Sequence, residues 1–289
     1  MTMLSDKDLK ALLHFQKNEL MESLVYHQLA KSNRDKENKL TLDRIAHTEQ
    51  RHHDIVKGVT NRSVDIPVWR YLFYYWMARL LGLTFAVKLM ERNGDVPKYH
   101  KFFDEIPELE SLHHAEADEA SIINLINEEK LAYTGAIVLG LKDALVEFTG
   151  VLAGFTLALN NHMLIALTGS ITGISAAMSM ACSVYLSTRA EKKDAVSPRK
   201  SAAYTGLAYI MTVVLLVSPF VLLANVFAAL AIMLMMAVLI IFVFNYYYAI
   251  ACDEKFGHRF WEMTILSFSV AAVSFVVGYL LKLLVGVDV

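Results

Sequence analysis

Cysteine is scarce: Cys182 and Cys252 are the only two, and both fall in or beside apolar runs. That number and placement exclude a disulfide framework and fit a soluble part kept in the cytoplasm. A basic stripe is also missing. The 27 Lys and Arg residues stand against 29 Asp and Glu, a net charge of −2, so nothing marks a nucleic-acid surface. Period-two alternation of apolar and polar residues is absent over any useful length, which argues against a sheet. Residues 1–20 are polar and periodic, so no signal peptide is expected.

What the second half lacks is charge. Residues 1–130 hold 39 of the 56 Asp, Glu, Lys and Arg residues and 8 of the 10 histidines; the rest of the chain holds the other 17 charges. Such a split predicts an all-α protein of two domains: a soluble one at 1–131 and a membrane one at 132–289.

The soluble half reads as four helices, roughly 5–33, 38–58, 68–93 and 107–130. Turn chemistry separates them: Ser32-Asn33-Arg34-Asp35, then Gly58 through Pro67, then Asn93-Gly94-Asp95-Val96-Pro97, with Pro107 early in the last helix. An antiparallel four-helix bundle follows. Stepping by three and four gives the inward stripes. They run Leu12, Phe15, Glu19, Glu22, Tyr26, Leu29; then Leu42, Ile45, Glu49, His52, Val56; then Met77, Leu80, Thr84, Val87, Glu91; then Leu109, Leu112, Glu116, Glu119, Ile123, Ile126. Carboxylates in a bundle core are costly unless paired or bound to a cation.

A Glu from each of two helices with a Glu-x-x-His from each of the other two is the di-iron carboxylate arrangement. Residues i and i+3 share a face, so the Glu can bridge two metals while the His holds one. Mixed carboxylate and imidazole donors suit iron or manganese. Glu49-Gln50-Arg51-His52 matches fully. The fourth helix offers Glu116-Ala117-Asp118-Glu119, with Glu in the His position, and Glu110-Ser111-Leu112-His113 one turn away. The candidate ligands are therefore Glu19, Glu49, His52, Glu91, Glu116 and Glu119, with Glu22 and His113 beside them. Trp69, Trp76, Tyr71, Tyr74 and Tyr75 read as packing or interface aromatics.

Five spans follow, roughly 132–159, 164–187, 203–223, 225–250 and 263–285; a crossing helix needs about 20 apolar residues. Residues 188–201 and 252–262 are basic linkers, whereas Asn160-Asn161-His162 and Ala224-Asn225 carry no Lys or Arg. The positive-inside rule then puts the basic linkers and the soluble half in the cytoplasm and the C-terminus outside. The first span carries Lys142, Asp143 and Glu147. Asp143 and Glu147, four residues apart, share a face. Carboxylates in hydrocarbon cost several kcal/mol and face a polar path or a partner. The second span is rich in Gly, Ala and Ser and carries Met178 and Met180; a thioether is a soft, weak metal donor.

Gly140-Leu141-Lys142-Asp143-Ala144-Leu145-Val146-Glu147 resembles the first-span motif of the vacuolar iron transporter family, and Ser179-Met180-Ala181 with Tyr185-Leu186-Ser187 resembles its second-span motif. The N-terminal half resembles rubrerythrin and ferritin-like bundles, and the whole chain resembles their fusion, the membrane-bound ferritins. Val184, where an acid often stands, and Lys142, where a neutral polar residue is usual, depart from the pattern. The resemblance implies export of Fe²⁺ from the cytoplasm across a cell membrane in exchange for protons, by a homodimer. Asp143 and Met180 would lie along the ion path, with Glu147 at its cytoplasmic mouth. The alternatives are a membrane-anchored di-iron enzyme, oxidising Fe²⁺ or reducing peroxide, and a Mn²⁺ transporter of the same family.

Overall fold

The computed structural model describes residues 6–93, 102, 106–109, 112, 133–190, 196–252 and 254–285. The chain divides into two compact units, Met1–Glu128 and Glu129–Val289. Among the described residues every element is helical.

In the first unit, α1 (Asp6–Ser32) and α2 (Lys36–Thr60) form a helical hairpin. The turn between them works through Asp35, whose Oδ1 accepts from the Glu37 and Asn38 amides at 2.9 Å each. A cap of this kind contributes about 1 kcal/mol. The far end of α2 stops at Asn61, in the left-handed region at φ 52°. Side chains then fix the register of the pair. Ser23 Oγ donates to the Ala46 carbonyl at 2.9 Å, His53 Nδ1 donates to the Gln16 carbonyl at 2.9 Å, and Thr60 Oγ1 donates to Gln16 Oε1 at 2.8 Å. Leu12, Phe15 and Val56 bury together with Phe102, Leu109 and Leu112. A short 3₁₀ turn at Pro107–Leu109 supplies Leu109. The rest of the expected fourth helix, and with it Glu110, His113, Glu116 and Glu119, lies outside the described residues.

The expected single helix at 68–93 is two: α3 (Val68–Leu81) and α4 (Leu83–Asn93). Gly82 between them has φ 109° and ψ 155°, a conformation open essentially to glycine alone. The apolar periodicity runs on through this break, which is why the sequence reads as continuous.

The second unit begins with α5 (Thr134–Asp143). A single π-helical turn, Ala144–Phe148, leads straight into α6 (Thr149–Leu159). After the turn at Asn160 come α7 (His162–Ala190), α8 (Pro198–Leu222), α9 (Val226–Ala251) and α10 (Phe256–Val285). The asparagines expected at the turns act as caps: Asn161 Oδ1 receives the Met163 and Leu164 amides, and Asn225 Oδ1 those of Phe227 and Ala228. Helices α7 to α10 are each long and apolar enough to cross a membrane. Their outward faces carry large apolar side chains such as Leu167, Ile171, Val214, Met235 and Val273, all exposed. Apolar chains turned outward along four such helices describe a protein whose solvent is lipid. The chain is a multi-pass membrane protein.

Close approaches organise this unit. A Cβ on Gly140 would sit 2.5 Å from the Thr205 carbonyl oxygen, and one on Gly278 would sit 2.4 Å from that of Gly154. Small residues at such crossings let backbones meet. Gly150 touches Val270 and Ser274, and Gly154 touches Ser274 and Gly278, so α6 and α10 run parallel. Phe148, Leu152, Ile165, Tyr209, Val213, Leu216, Met233 and Ile241 fill the core.

Candidate functional site

Two groups of residues could hold a cation, one in each unit. In the first, the α1–α2 register brings Glu19 against Glu49 and His52. His52 Nδ1 lies 3.1 Å from Glu19 Oε2 and 3.5 Å from Glu49 Oε2. One ligand atom from each of the three falls within 4.8 Å of the others, and all three residues are buried, at 7%, 3% and 3% exposure. Glu49 and His52 come together because i and i+3 share a helix face. Glu19 reaches them because Gln16 and Ser23, on either side of it in α1, are tied to α2 through His53 and Ala46. Two carboxylates and an imidazole, enclosed at this spacing, fit a divalent transition metal. Glu22 is buried one turn beyond Glu19, whereas Glu91 is exposed near the end of α4.

The second group surrounds the π turn. Asp143 closes α5, and Glu147 lies within the turn itself. π turns inside helices are rare and cluster at functional sites. Asp143 is half-buried and, with Lys142, Glu262, Met263, Leu139, Val146 and Leu266, lines a cavity of about 290 Å³. Glu147 is exposed on the single chain, and its Oε2 accepts from the Tyr209 hydroxyl at 3.1 Å. Tyr209 is fully buried in α8. Met180, on α7, is partly buried against the core. Its depth follows from its neighbours: Gly206 touches Ala181 and Ala177, and the adjacent Thr205 touches Gly140. Met180 and Asp143 therefore sit within about one helical turn of the same level, ~5 Å.

Tyr209 is the residue the sequence reading missed, and Glu262, expected at the membrane interface and apart from the ion path, lines the same cavity as Asp143. Tyr209 looks like one more aromatic in an apolar span; its signal is a hydroxyl that must find a partner in a dry core. Glu262 reads as a linker charge because the apolar run begins after it. Helix α10 starts at Phe256, however, so Glu262 stands almost two turns inside it. Met263, beside it, is buried and receives the Asn245 amide on its sulfur at 3.4 Å.

No curated protein matches the chain, and no solved structure does. Residues 134–196, which carry Asp143, Glu147 and Met180, match the model of the VIT family, and this supports the resemblance to vacuolar iron transporters and a role in moving metal ions.

Proposed function

We propose that the protein exports Fe²⁺ from the cytoplasm across the cell membrane in exchange for protons, working as a homodimer. The observation that carries this reading is Asp143: a half-buried carboxylate on a cavity, beside a π turn, inside the stretch that matches the VIT family. A charge at the centre of a span costs about 3 kcal/mol on insertion scales, so an acid kept there has work to do.

The first of five crossings is the run from Thr134 to Leu159. Helices α5 and α6 are too short to cross singly, but with the π turn they extend about 39 Å. The parallel course of α6 and α10 supports an odd number of crossings from first to last. Glu147 supports the dimer. It is exposed on one chain, and lipid would be a poor neighbour for it; a second copy would enclose a polar path there. Fe²⁺ would enter past Glu147 and Asp143, with the Met180 thioether as a softer donor further along. Carboxylates that bind a cation release protons, and protonating them favours release of the metal, so the same groups can couple the two fluxes.

The ferritin-like unit would collect cytoplasmic metal. Glu19, Glu49 and His52 would hold a first ion, and Glu91, Glu116, Glu119, Glu22 and His113 are the candidates to complete a di-iron centre. That centre would supply oxidation of Fe²⁺ if it also acts as a ferroxidase. The basic linkers support a cytoplasmic position for this unit and residues 188–201 and 252–262, with the C-terminus outside.

The test is metal flux in proteoliposomes. Fe²⁺ should cross fastest when a pH gradient opposes its direction of travel, and Mn²⁺ measured alongside fixes the preference. An intact protein that carries no divalent metal, yet oxidises Fe²⁺ in solution, would establish the anchored enzyme instead.

A further inference from the structure

Helix α3 presents a face that nothing among the described residues covers. Val68, Trp69, Leu72, Phe73 and Trp76 are exposed at 63%, 71%, 45%, 46% and 56%. Trp69, Leu72, Phe73 and Trp76 are spaced three and four apart, so they form one stripe. The opposite side is fixed to the first unit. Tyr74 is buried and its hydroxyl accepts from Asn93, while Arg70 Nη1 donates to Asn18 Oδ1 at 3.1 Å. The stripe is therefore held outward by its own fold rather than left loose.

We propose that this face of α3 lies in the headgroup-to-acyl boundary of the bilayer that the same chain crosses. Composition carries the choice of occupant. The helix VWRYLFYYWMARLL contains six aromatic residues, and Trp and Tyr are the residues of membrane interfaces, where one end of the ring is dry and the other wet. Its charges are Arg70 and Arg79, with no acid anywhere in its length. Arg70 is turned inward to Asn18, so Arg79 is the exposed charge, and a two-fold contact between two copies would bring this acid-free patch against itself with nothing to pair Arg79. Anionic headgroups neutralise it instead. The tether adds to this, because a unit joined to membrane spans meets the lipid surface at high effective concentration. The inference rests on the chain being a membrane protein and is independent of which ion it carries.

Tryptophan emission from the full-length protein in liposomes tests it. The chain has three tryptophans, Trp69, Trp76 and Trp261. In a Trp261→Phe background the emission comes from α3 alone. If that variant fails to fold, the same signal is the difference between the native protein and Trp69→Phe/Trp76→Phe. Phosphatidylcholine brominated high on its acyl chains should remove roughly half of this emission, with acrylamide in the water quenching weakly. Raising the share of phosphatidylglycerol should strengthen the lipid quenching, and Arg79→Gln should blunt that response. Full acrylamide quenching without bromolipid quenching would overturn the proposal, showing a face open to water. Protection from both, with disulfide cross-linking of Trp69→Cys between chains, would overturn it in favour of a second copy. In either case co-flotation with the liposomes would still report membrane insertion, so failure here is distinguishable from failure of the membrane reading.

Discussion

Asp143 brings together a charge, a cavity and a break in helical geometry, and the chemistry of each sets what a substitution should do. Asp143→Asn keeps the shape and the hydrogen bonding but loses the charge and the titratable proton. Losing ~3 kcal/mol of interaction with a cation corresponds to about a hundredfold in rate, so the proposed Fe²⁺ flux should fall by that order while folding persists. Wild-type flux in a folded Asp143→Asn protein would end the ion-path assignment. Tyr209→Phe removes the one hydroxyl seen on Glu147 and nothing else. About 1 kcal/mol is at stake, so flux should drop roughly fivefold with no change in expression or thermal stability. In the first unit, Glu49→Gln with His52→Ala should abolish most iron binding to that unit, read as metal content of the purified full-length protein, because Glu19 would be left as the sole ligand of the buried trio. Unchanged stoichiometry would remove the case for a site there.

At the scale of the element, glycine contacts decide which helices can touch. Gly278→Ala places a methyl 2.4 Å from the Gly154 carbonyl oxygen, and neither backbone can give way cheaply. A cost of about 1–3 kcal/mol is expected, seen as a lower melting temperature in detergent. Gly135→Ala is the control: nothing lies within 4 Å of that position, and alanine favours the helix. The elements themselves were largely legible. Period-3.6 apolar stripes and Asn or Asp caps gave α1, α2, α7 and α9 to within a few residues, because burial and capping are local signals, whereas α8 and α10 begin at Pro198 and Phe256, well ahead of the apolar runs that mark them. Two features were not legible. Gly82 sits within an unbroken apolar pattern, and only its backbone angles reveal the break. The π turn at Ala144–Phe148 has no compositional mark at all, since one extra residue per turn leaves Asp143 and Glu147 about a turn apart either way. Of the candidate metal ligands, Glu19, Glu49 and His52 were all expected from the inward stripes, while the distances among them needed the helix register. Tyr209 and Glu262 needed tertiary contacts.

At the scale of the whole molecule, the alternation of basic and uncharged linkers predicts a direction. With Cys182 and Cys252 replaced, single cysteines introduced at Arg199 and at His258 should react with an impermeant maleimide from the cytoplasmic side, and one at Asn161 from the opposite side. Labelling of Asn161 from the cytoplasm would invert the proposed export. The expectation rests on charge counts, which do not depend on packing.

The contact of Gly154 with Gly278 carries a consequence for motion. Two backbones that touch along consecutive turns cannot slide past one another without parting, so α6 and α10 must travel as a single lever in any working cycle. In the proposed transport cycle, a rearrangement that exposes Asp143 first to one side and then to the other would occur where this lever meets α7 and α8. The π turn, at the root of the lever, is where the chain can change its pitch by one residue without losing its helical course. Distances between spin labels on α6 and α10 should therefore stay constant under metal and pH, while those from α10 to α7 should change.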